Sequence, residues 1–567
     1  MRTHSTKSAR KKARARTRAA ETEQAPQVTE PEPANDIPER AWMLSVIVIF
    51  VIAAILRLYD LDLVPLHHDE GVNGNFLVRL VREGNYRYDP ANYHGPTLYY
   101  FSALIPWIIK LLFGAAARDK YGLTTFAIRL VTVVFGLGTI GLVFLLRRKL
   151  GTVATLAAGL LLAISPGAVY LSRYYIHEML FVFFTLGIVV AGVWFYEYRN
   201  PSYLIPAAAS ASLLFATKET AFISVGVLII ALGLTLVYVH LIRKTPIHAR
   251  GKQGTPSRES RTIVGDMGGQ ATILWNAGVA LFVFVALWVL FYSSFFKNSQ
   301  GLWDSIETFK IWTRTGFTAH EHSVDTYMWW LLMQEGALLV LGAIGAAIVV
   351  LKPKNSLALF CALWAFGLIA AYSLIDYKTP WLMLNFVVPL ALIASYAIQA
   401  IYEFDRNRLR LVAVVMLGAI GVGTYQSIDL NFFNYDTDRK PYVYVYAHTT
   451  RPTLDLVNEM ERIAKTEAGG QTGISILSPD YWPLPWYLRD YTRVGYFGRM
   501  AATTEPIVIA NEHQKAEVEA GFGELYEQVM SREPGGSFEL RPGVKLLLYH
   551  RRTGLAPPTN PPSIQNR

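Results

Sequence analysis

Between residues 41 and 428 the chain is a succession of long apolar runs separated by short polar stretches. Past residue 430 it changes to short β-like runs divided by helical ones. A helix rises 1.5 Å per residue, so about 20 apolar residues cross a hydrocarbon core of about 30 Å. Runs of this kind fall at 41–59, 124–146, 152–171, 176–196, 203–217, 220–242, 273–293, 327–351, 356–375, 381–402 and 411–428, which predicts eleven crossings. The apolar piece 97–113 is short and holds Pro106 and Lys110, and it reads as interfacial or re-entrant.

Basic loops mark the cytoplasmic side. Arg147-Arg148-Lys149, Arg199, the stretch 243–272, Lys352 with Lys354, and Arg406 to Arg410 then all fall inside. The amino terminus is predicted inside and the carboxy terminus outside, with large outer loops at 60–123 and 294–326. The fold class is thus a polytopic α-helical membrane protein of the cell membrane, carrying a small C-terminal extracytoplasmic α/β domain over 431–555. Its expected strands are Gly473 to Leu477, Pro506 to Ala510 and Val544 to Tyr549, with a helix near Gln514 to Gly521. The basic tail 1–40 and the tail 556–567 are expected to be disordered.

Composition agrees with a bilayer protein. Of 567 residues 52% are hydrophobic and only 17% charged, too apolar for an ordinary soluble domain. The net charge of +10 sits in the tail and in short loops, so it sets topology and implies no nucleic-acid partner. A single cysteine, Cys361, excludes an intrachain disulfide. No glycine-rich phosphate loop points to a nucleotide, and no internal repeat suggests a transporter of two matching halves.

The candidate chemistry gathers on the outer side. Asp69 and Glu70 stand just past the first crossing, where they either cap the helix starting near Gly71 or serve as a base for a membrane-dissolved substrate. Glu178 opens the fourth crossing and either pairs with Arg173 or Lys218 or takes part in chemistry. His94, Arg173, Lys218 and Lys378 are candidates to hold a donor phosphate, since a departing phosphate needs cations. His320-Glu321-His322 could ligate a divalent cation, although three adjacent loop residues lack the spacing of a helix-borne zinc site.

Taken as an ordered series, these blocks resemble the GT-C membrane glycosyltransferases, the protein O-mannosyltransferases and lipid A aminoarabinose transferases among them. Asp69-Glu70-Gly-Val-Asn-Gly-Asn-Phe is similar to their first outer-loop motif. Tyr93-His94-Gly95-Pro96-Thr97-Leu98 resembles their His/Lys-Pro-Pro-Leu stretch, with Gly95 replacing the first proline. Ser165-Pro166 through Ser172-Arg173 and Glu178 is similar to the block that supplies a second acid, and Gly316 to His322 with Tyr327 to Trp330 to a later outer loop. The His67-His68-Asp69-Glu70-Gly71 start and Tyr377-Lys378-Thr379-Pro380-Trp381 look closest to a bacterial and archaeal branch labelled flippase activity-associated.

The resemblance covers about 41–430. It implies an inverting transfer from a polyprenyl-phosphate sugar donor to a protein, glycolipid or polymer acceptor, with Asp69 as base and Glu70 beside it. Glu178, His320, Glu321 and His322 would help hold a divalent cation (Mg, Mn or Zn) or the donor phosphate. One departure stands out, because Tyr93 occupies the place of a carboxylate in the aminoarabinose type. The rival expectation is a non-catalytic protein that binds or moves a lipid-linked glycan.

Overall fold

The computed structural model describes residues 37–92, 94–243, 263–315, 322–404, 409–532 and 534–552. The predicted tails therefore lie outside the described residues, apart from the few at 37–40. So do His320, Glu321 and most of the basic loop 243–272. By its contacts the chain divides into Met1–Met43 and Leu44–Arg567; the described part of the first unit is the opening of helix α1 (Glu39–Leu58).

Among the described residues eight helices are long and apolar enough to cross a membrane, or ten if two bent pairs count as one span each. In chain order α2 (His68–Glu83) and α3 (Thr97–Phe113) follow α1, then α4 (Thr125–Phe144), α5 (Thr152–Ile164), α6 (Pro166–Ser172), α7 (Glu178–Tyr198), α8 (Leu204–Phe215) and α9 (Ala221–Arg243). The second half holds α10 (Gly269–Tyr292), α11 (Gln300–Thr315), α12 (Thr326–Gln334), α13 (Gly336–Leu351), α14 (Ser356–Ser373), α15 (Leu384–Phe404) and α16 (Leu409–Ile428). Each of the eleven expected runs has a helix or bent pair, with 203–217 represented by a shorter apolar helix that begins with a turn at Pro201. The protein is a multi-pass membrane protein.

Two runs that read as continuous crossings are broken, each for a local reason. Between α5 and α6 the axis turns by 60°, because Pro166 has no N–H to continue the ladder and Ser165 caps the new helix by accepting from Ala168 N. Between α12 and α13 the turn is 111°. Glu335 sits at that corner, where its Oε1 accepts from Ser165 Oγ at 2.8 Å and from Gly167 N at 2.9 Å. A carboxylate held against the start of α6 ties the two breaks together.

Helix α15 is the axis of the apolar core, with Leu390, Ala391, Leu392 and Ile393 fully buried. By contrast α10 leaves Leu274, Trp275, Leu281 and Phe282 exposed, as a lipid-facing helix would.

The C-terminal part is a six-stranded mixed sheet. Its strands are β1 (Ile474–Ile476), β2 (Val494–Tyr496), β3 (Ile507–Asn511), β4 (Tyr526–Val529), β5 (Phe538–Arg541) and β6 (Val544–Arg551). The order is β2-β1-β3-β6-β4, with β5 also on β6. Both β2 and β3 run parallel to β1, while β6 is antiparallel to β3. Each face is covered by a helix, α17 (Pro452–Thr466) with Leu456 and Met460 on one side and α18 (Lys515–Phe522) with Val518 and Phe522 on the other.

This sheet region is bolted to α2. Gly71 lies so close to Pro483 that a Cβ there would fall 2.5 Å from the proline Cβ, and one at Gly74 would fall 2.5 Å from the Trp486 ring. Leu66 N donates to the Tyr487 hydroxyl at 2.9 Å, and Arg82 Nη1 to Arg489 O at 2.7 Å. The two glycines are thus a packing requirement, since any side chain would push the sheet region off the helix.

Candidate functional site

Asp69 and Glu70 occupy the first turn of α2, and His67 caps it. The His67 Nδ1 accepts from Asp69 N at 3.1 Å while Glu70 Oε2 accepts from His67 N at 3.0 Å, a reciprocal cap that satisfies two backbone donors. Because Nδ1 is an acceptor and Nε2 lies 3.2 Å from Tyr446 O, a neutral ring with its proton on Nε2 fits both contacts. His67 Nδ1 also approaches Asp69 Oδ2 at 3.8 Å, but in that tautomer it is no cation. Asp69 keeps a half-exposed carboxylate.

Glu70 is different. Its Oε1 accepts from Arg129 Nε at 2.8 Å and from Tyr175 N at 2.7 Å, and Oε2 accepts from Arg129 Nη2 at 2.7 Å. Arg129 donates further to Leu61 O and Val64 O, both at 2.9 Å. The pair is buried, 0% and 1% exposed, with both carboxylate oxygens engaged. It pins the chain between α1 and α2 to the start of α4. Arg129 was legible in the sequence only as a lone charge inside an apolar run, a position that calls for a partner.

The candidate phosphate cations separate in the same way. Arg173 Nη1 donates to Tyr59 O at 2.6 Å and Nη2 to Asp60 O at 2.7 Å, and the guanidinium lies 4.7 Å from the Phe432 ring centre. Burial, with Arg129 nearby, lowers its pKa to about 10, so it stays charged at the carbonyl end of α1. Lys378 is also buried; its Nζ donates to Ile375 O at 2.6 Å and His322 O at 3.2 Å. Both residues spend donors on main-chain carbonyls that hold loops.

Lys218 and His94 lie together on two zipped segments. His94 and Lys218 form an antiparallel bridge, Gly95 N donates to Thr217 O at 3.0 Å and Thr97 N to Ala216 O at 3.2 Å. A Cβ at Gly95 would fall 2.0 Å from Ala216 O. A proline there would lack the N–H as well, which accounts physically for glycine at this place. Lys218 Nζ donates to Glu178 Oε1 at 2.6 Å, and His94 Nδ1 lies 3.2 Å from Glu219 Oε2. Burial alone would lower the lysine's pKa and raise that of Glu219, but the opposite charges outweigh it. Glu178 and Glu219 hold Lys218 up; His94 and Lys218 hold Glu219 below the usual carboxylate value.

Two tyrosines lie within electrostatic reach of both this cluster and Asp69. Burial pushes the Tyr377 hydroxyl up to about 12, and the fields of Lys218, Asp69, Glu219 and Glu178 all reach it. The buried Tyr174 is likewise raised, chiefly by burial, and feels both Asp69 and Glu178. Neither tyrosine was singled out from the sequence, because an aromatic at a membrane edge is ordinarily a belt residue. His177, also beside the cluster, is fully buried with Nε2 3.1 Å from Gly95 O and, among the described residues, no hydrogen-bond partner for Nδ1.

Of the four candidate metal ligands, His320 and Glu321 lie outside the described residues. Glu178 is matched by the Lys218 ammonium, and the main chain of His322 is engaged with Asp376 and Lys378. Among the described residues no three His, Cys, Asp or Glu side chains group closely enough to hold a metal ion.

A family model described as dolichyl-phosphate-mannose-protein mannosyltransferase matches residues 102–251. Among solved structures, ArnT from Cupriavidus metallidurans bound to undecaprenyl phosphate is similar, with a TM-score of 0.57 at 14% identity over 89% of this chain and 97% of that one. The archaeal oligosaccharyltransferase AglB from Archaeoglobus fulgidus, in complex with an inhibitory peptide and a dolichol-phosphate, gives 0.50 at 12% identity over 91% and 75%. No curated protein matches the chain. The chain thus shares its fold with ArnT over most of its length, and its residues 102–251 match the mannosyltransferase model.

Proposed function

We propose that the protein moves a sugar from a polyprenyl-phosphate donor to a hydroxyl acceptor at the outer face of the plasma membrane, inverting the anomeric carbon. The observation that carries this reading is the contrast inside one turn of α2. Glu70 is consumed by Arg129, while Asp69 stays half-exposed and within electrostatic reach of the same two tyrosines, Tyr174 and Tyr377, as Glu178.

In this reading Asp69 Oδ takes the acceptor's hydroxyl proton as that oxygen attacks the anomeric carbon. The bond from that carbon to the phosphate oxygen breaks, and the electron pair leaves with the lipid phosphate. Lys218 has two ammonium protons beyond the one given to Glu178, and with the partly exposed His94 it faces the departing charge. Glu178 and Glu219 keep Lys218 charged, and Glu219 places the His94 ring. Glu70, Arg173 and Lys378 act one step back, holding the loops that carry Asp69 and the cations. Support for the donor class comes from the family model's description and from the polyprenyl phosphates bound by ArnT and AglB.

The test is transfer from polyprenyl-phosphate mannose by the wild type and by Asp69→Asn in lipid nanodiscs. A loss of at least about 10²-fold with an unchanged unfolding temperature is expected, the scale of losing a positioned acid–base group. Equal rates would remove Asp69 from the mechanism. Lipid transport that persists in Asp69→Asn without any transfer would favour a glycan-moving protein instead.

A further inference from the structure

Next to the base, on the sheet region, lies a row of aromatic side chains that the mechanism above does not use. The His68 ring is 6.0 Å from the Trp482 ring, Trp482 is 5.7 Å from Tyr481, and Tyr481 is 5.1 Å from Tyr496. The row starts one residue from Asp69 and ends on edge strand β2. His68, Tyr481 and Trp482 are partly exposed, and Tyr496 is 38% exposed. Each step is about the size of one sugar ring. Asp480 pairs with Arg541 at the same place, within electrostatic reach of His68.

Partly exposed aromatic side chains beside a carboxylate and a guanidinium are the chemistry of a saccharide site. The rings pack on the C–H face of a pyranose, and the two planar charged groups accept from and donate to its hydroxyls. A chain of sugars could lie along this row with its terminal hydroxyl at Asp69. The segment is also preorganised, because Pro483 and Trp486 are locked against Gly71 and Gly74.

We propose that Trp482, Tyr481 and Tyr496, flanked by Asp480 and Arg541, form a subsite for a glycan acceptor, so that the protein extends a sugar chain. This rests on the transfer reading above and names its acceptor class. The subsite holds the acceptor's sugars by stacking and leaves the reacting hydroxyl to Asp69.

The experiment measures binding of mannotriose, and separately of a serine-containing hydroxy-peptide, to the full chain in nanodiscs by saturation-transfer NMR. It compares the wild type with Tyr496→Ala, Trp482→Leu and Trp482→Phe, each checked for an unchanged unfolding temperature. The expected result is mannotriose affinity weakened about tenfold in the first two and largely kept in Trp482→Phe, which still stacks. Mannotriose binding that is absent, or equal in all four proteins, overturns the subsite, and so does selective loss of peptide binding in Tyr496→Ala. Should Trp482→Leu fail to fold, the exposed Tyr496→Ala decides alone. Consumption of polyprenyl-phosphate mannose by the wild type is scored in parallel, so a failure of the transfer reading shows there and a failure of the subsite shows in binding.

Discussion

Glu70 and Asp69 are neighbours on one helical turn, and their surroundings could hardly differ more. On the Glu70 side every charge is met. Arg129 and Arg173 donate into the carboxylate or into the carbonyls that end α1 and begin the following loop. On the Asp69 side the charges are paired once and left with capacity, as in Lys218 with Glu178 and His94 with Glu219. Buried ions cost several kcal/mol each unless fully compensated. The first group therefore acts as framework, and the second retains bonding capacity among the described residues, as the proposed transfer requires.

The sharpest way to break this contrast is Glu70→Gln. Removing one partner of a buried ion pair is expected to cost about 3–5 kcal/mol of stability, read as a fall in unfolding temperature in nanodiscs. Turnover per folded molecule should fall far less than in Asp69→Asn. A stable, inactive Glu70→Gln protein would erase the distinction between the two acids. Next comes Lys218→Met, which should weaken binding of polyprenyl phosphate about tenfold or more, since a hydrogen bond to a charged group contributes about 1.5–3 kcal/mol. Adding Glu178→Gln should restore stability without restoring that affinity, because the stranded carboxylate is removed and the cation is still missing.

A smaller effect is set by pH. His177 is buried, and burial with His94 and Lys218 nearby holds its pKa well below 6.5. The unfolded chain thus takes up this proton first. Its contribution to stability is complete above about pH 6.5 and declines as pH falls toward the folded pKa, by about 1.4 kcal/mol per pH unit at most. Unfolding temperature measured from pH 7.5 to 5.5 should fall less steeply in His177→Gln. The smallest change is expected for Arg82→Ala, which removes the part-exposed ion pairs with Asp490 at 2.5 Å and Asp119 at 3.4 Å together with the bond to Arg489 O at 2.7 Å, and should cost about 2 kcal/mol or less. A larger loss would mean that these contacts, rather than the glycine–aromatic packing, secure the sheet region.

Much of the architecture could be read from residue order, because apolar runs of bilayer length report directly on helices. The strands near 474, 507 and 544 were equally visible, since they are apolar and buried. Less visible were β2, β4 and β5, which are short and in part polar. The corner at Glu335 was hidden because an apolar count averages over one acid, yet Gln334-Glu335-Gly336 in such a run is a break signal in hindsight. At the site, the acids and cations could be named but not sorted. Glu70 takes its partner from α4, and Arg173 takes main-chain oxygens over a hundred residues away; a carbonyl leaves no mark in a sequence. Gly95 could be seen as a departure from the related motif, and its reason needed the approach of Ala216.

Gly74 closing on Trp486 has a consequence for how the protein is made. The helix bearing Asp69 emerges from the ribosome early, and the indole it packs against is synthesised some four hundred residues later, so the first membrane segments wait with an unfinished surface. Long-separated contacts of this kind form last. Completion of this turn is therefore coupled to synthesis of the carboxy-terminal portion, and a ribosome that stops short leaves a helical bundle whose earliest loop has never been set.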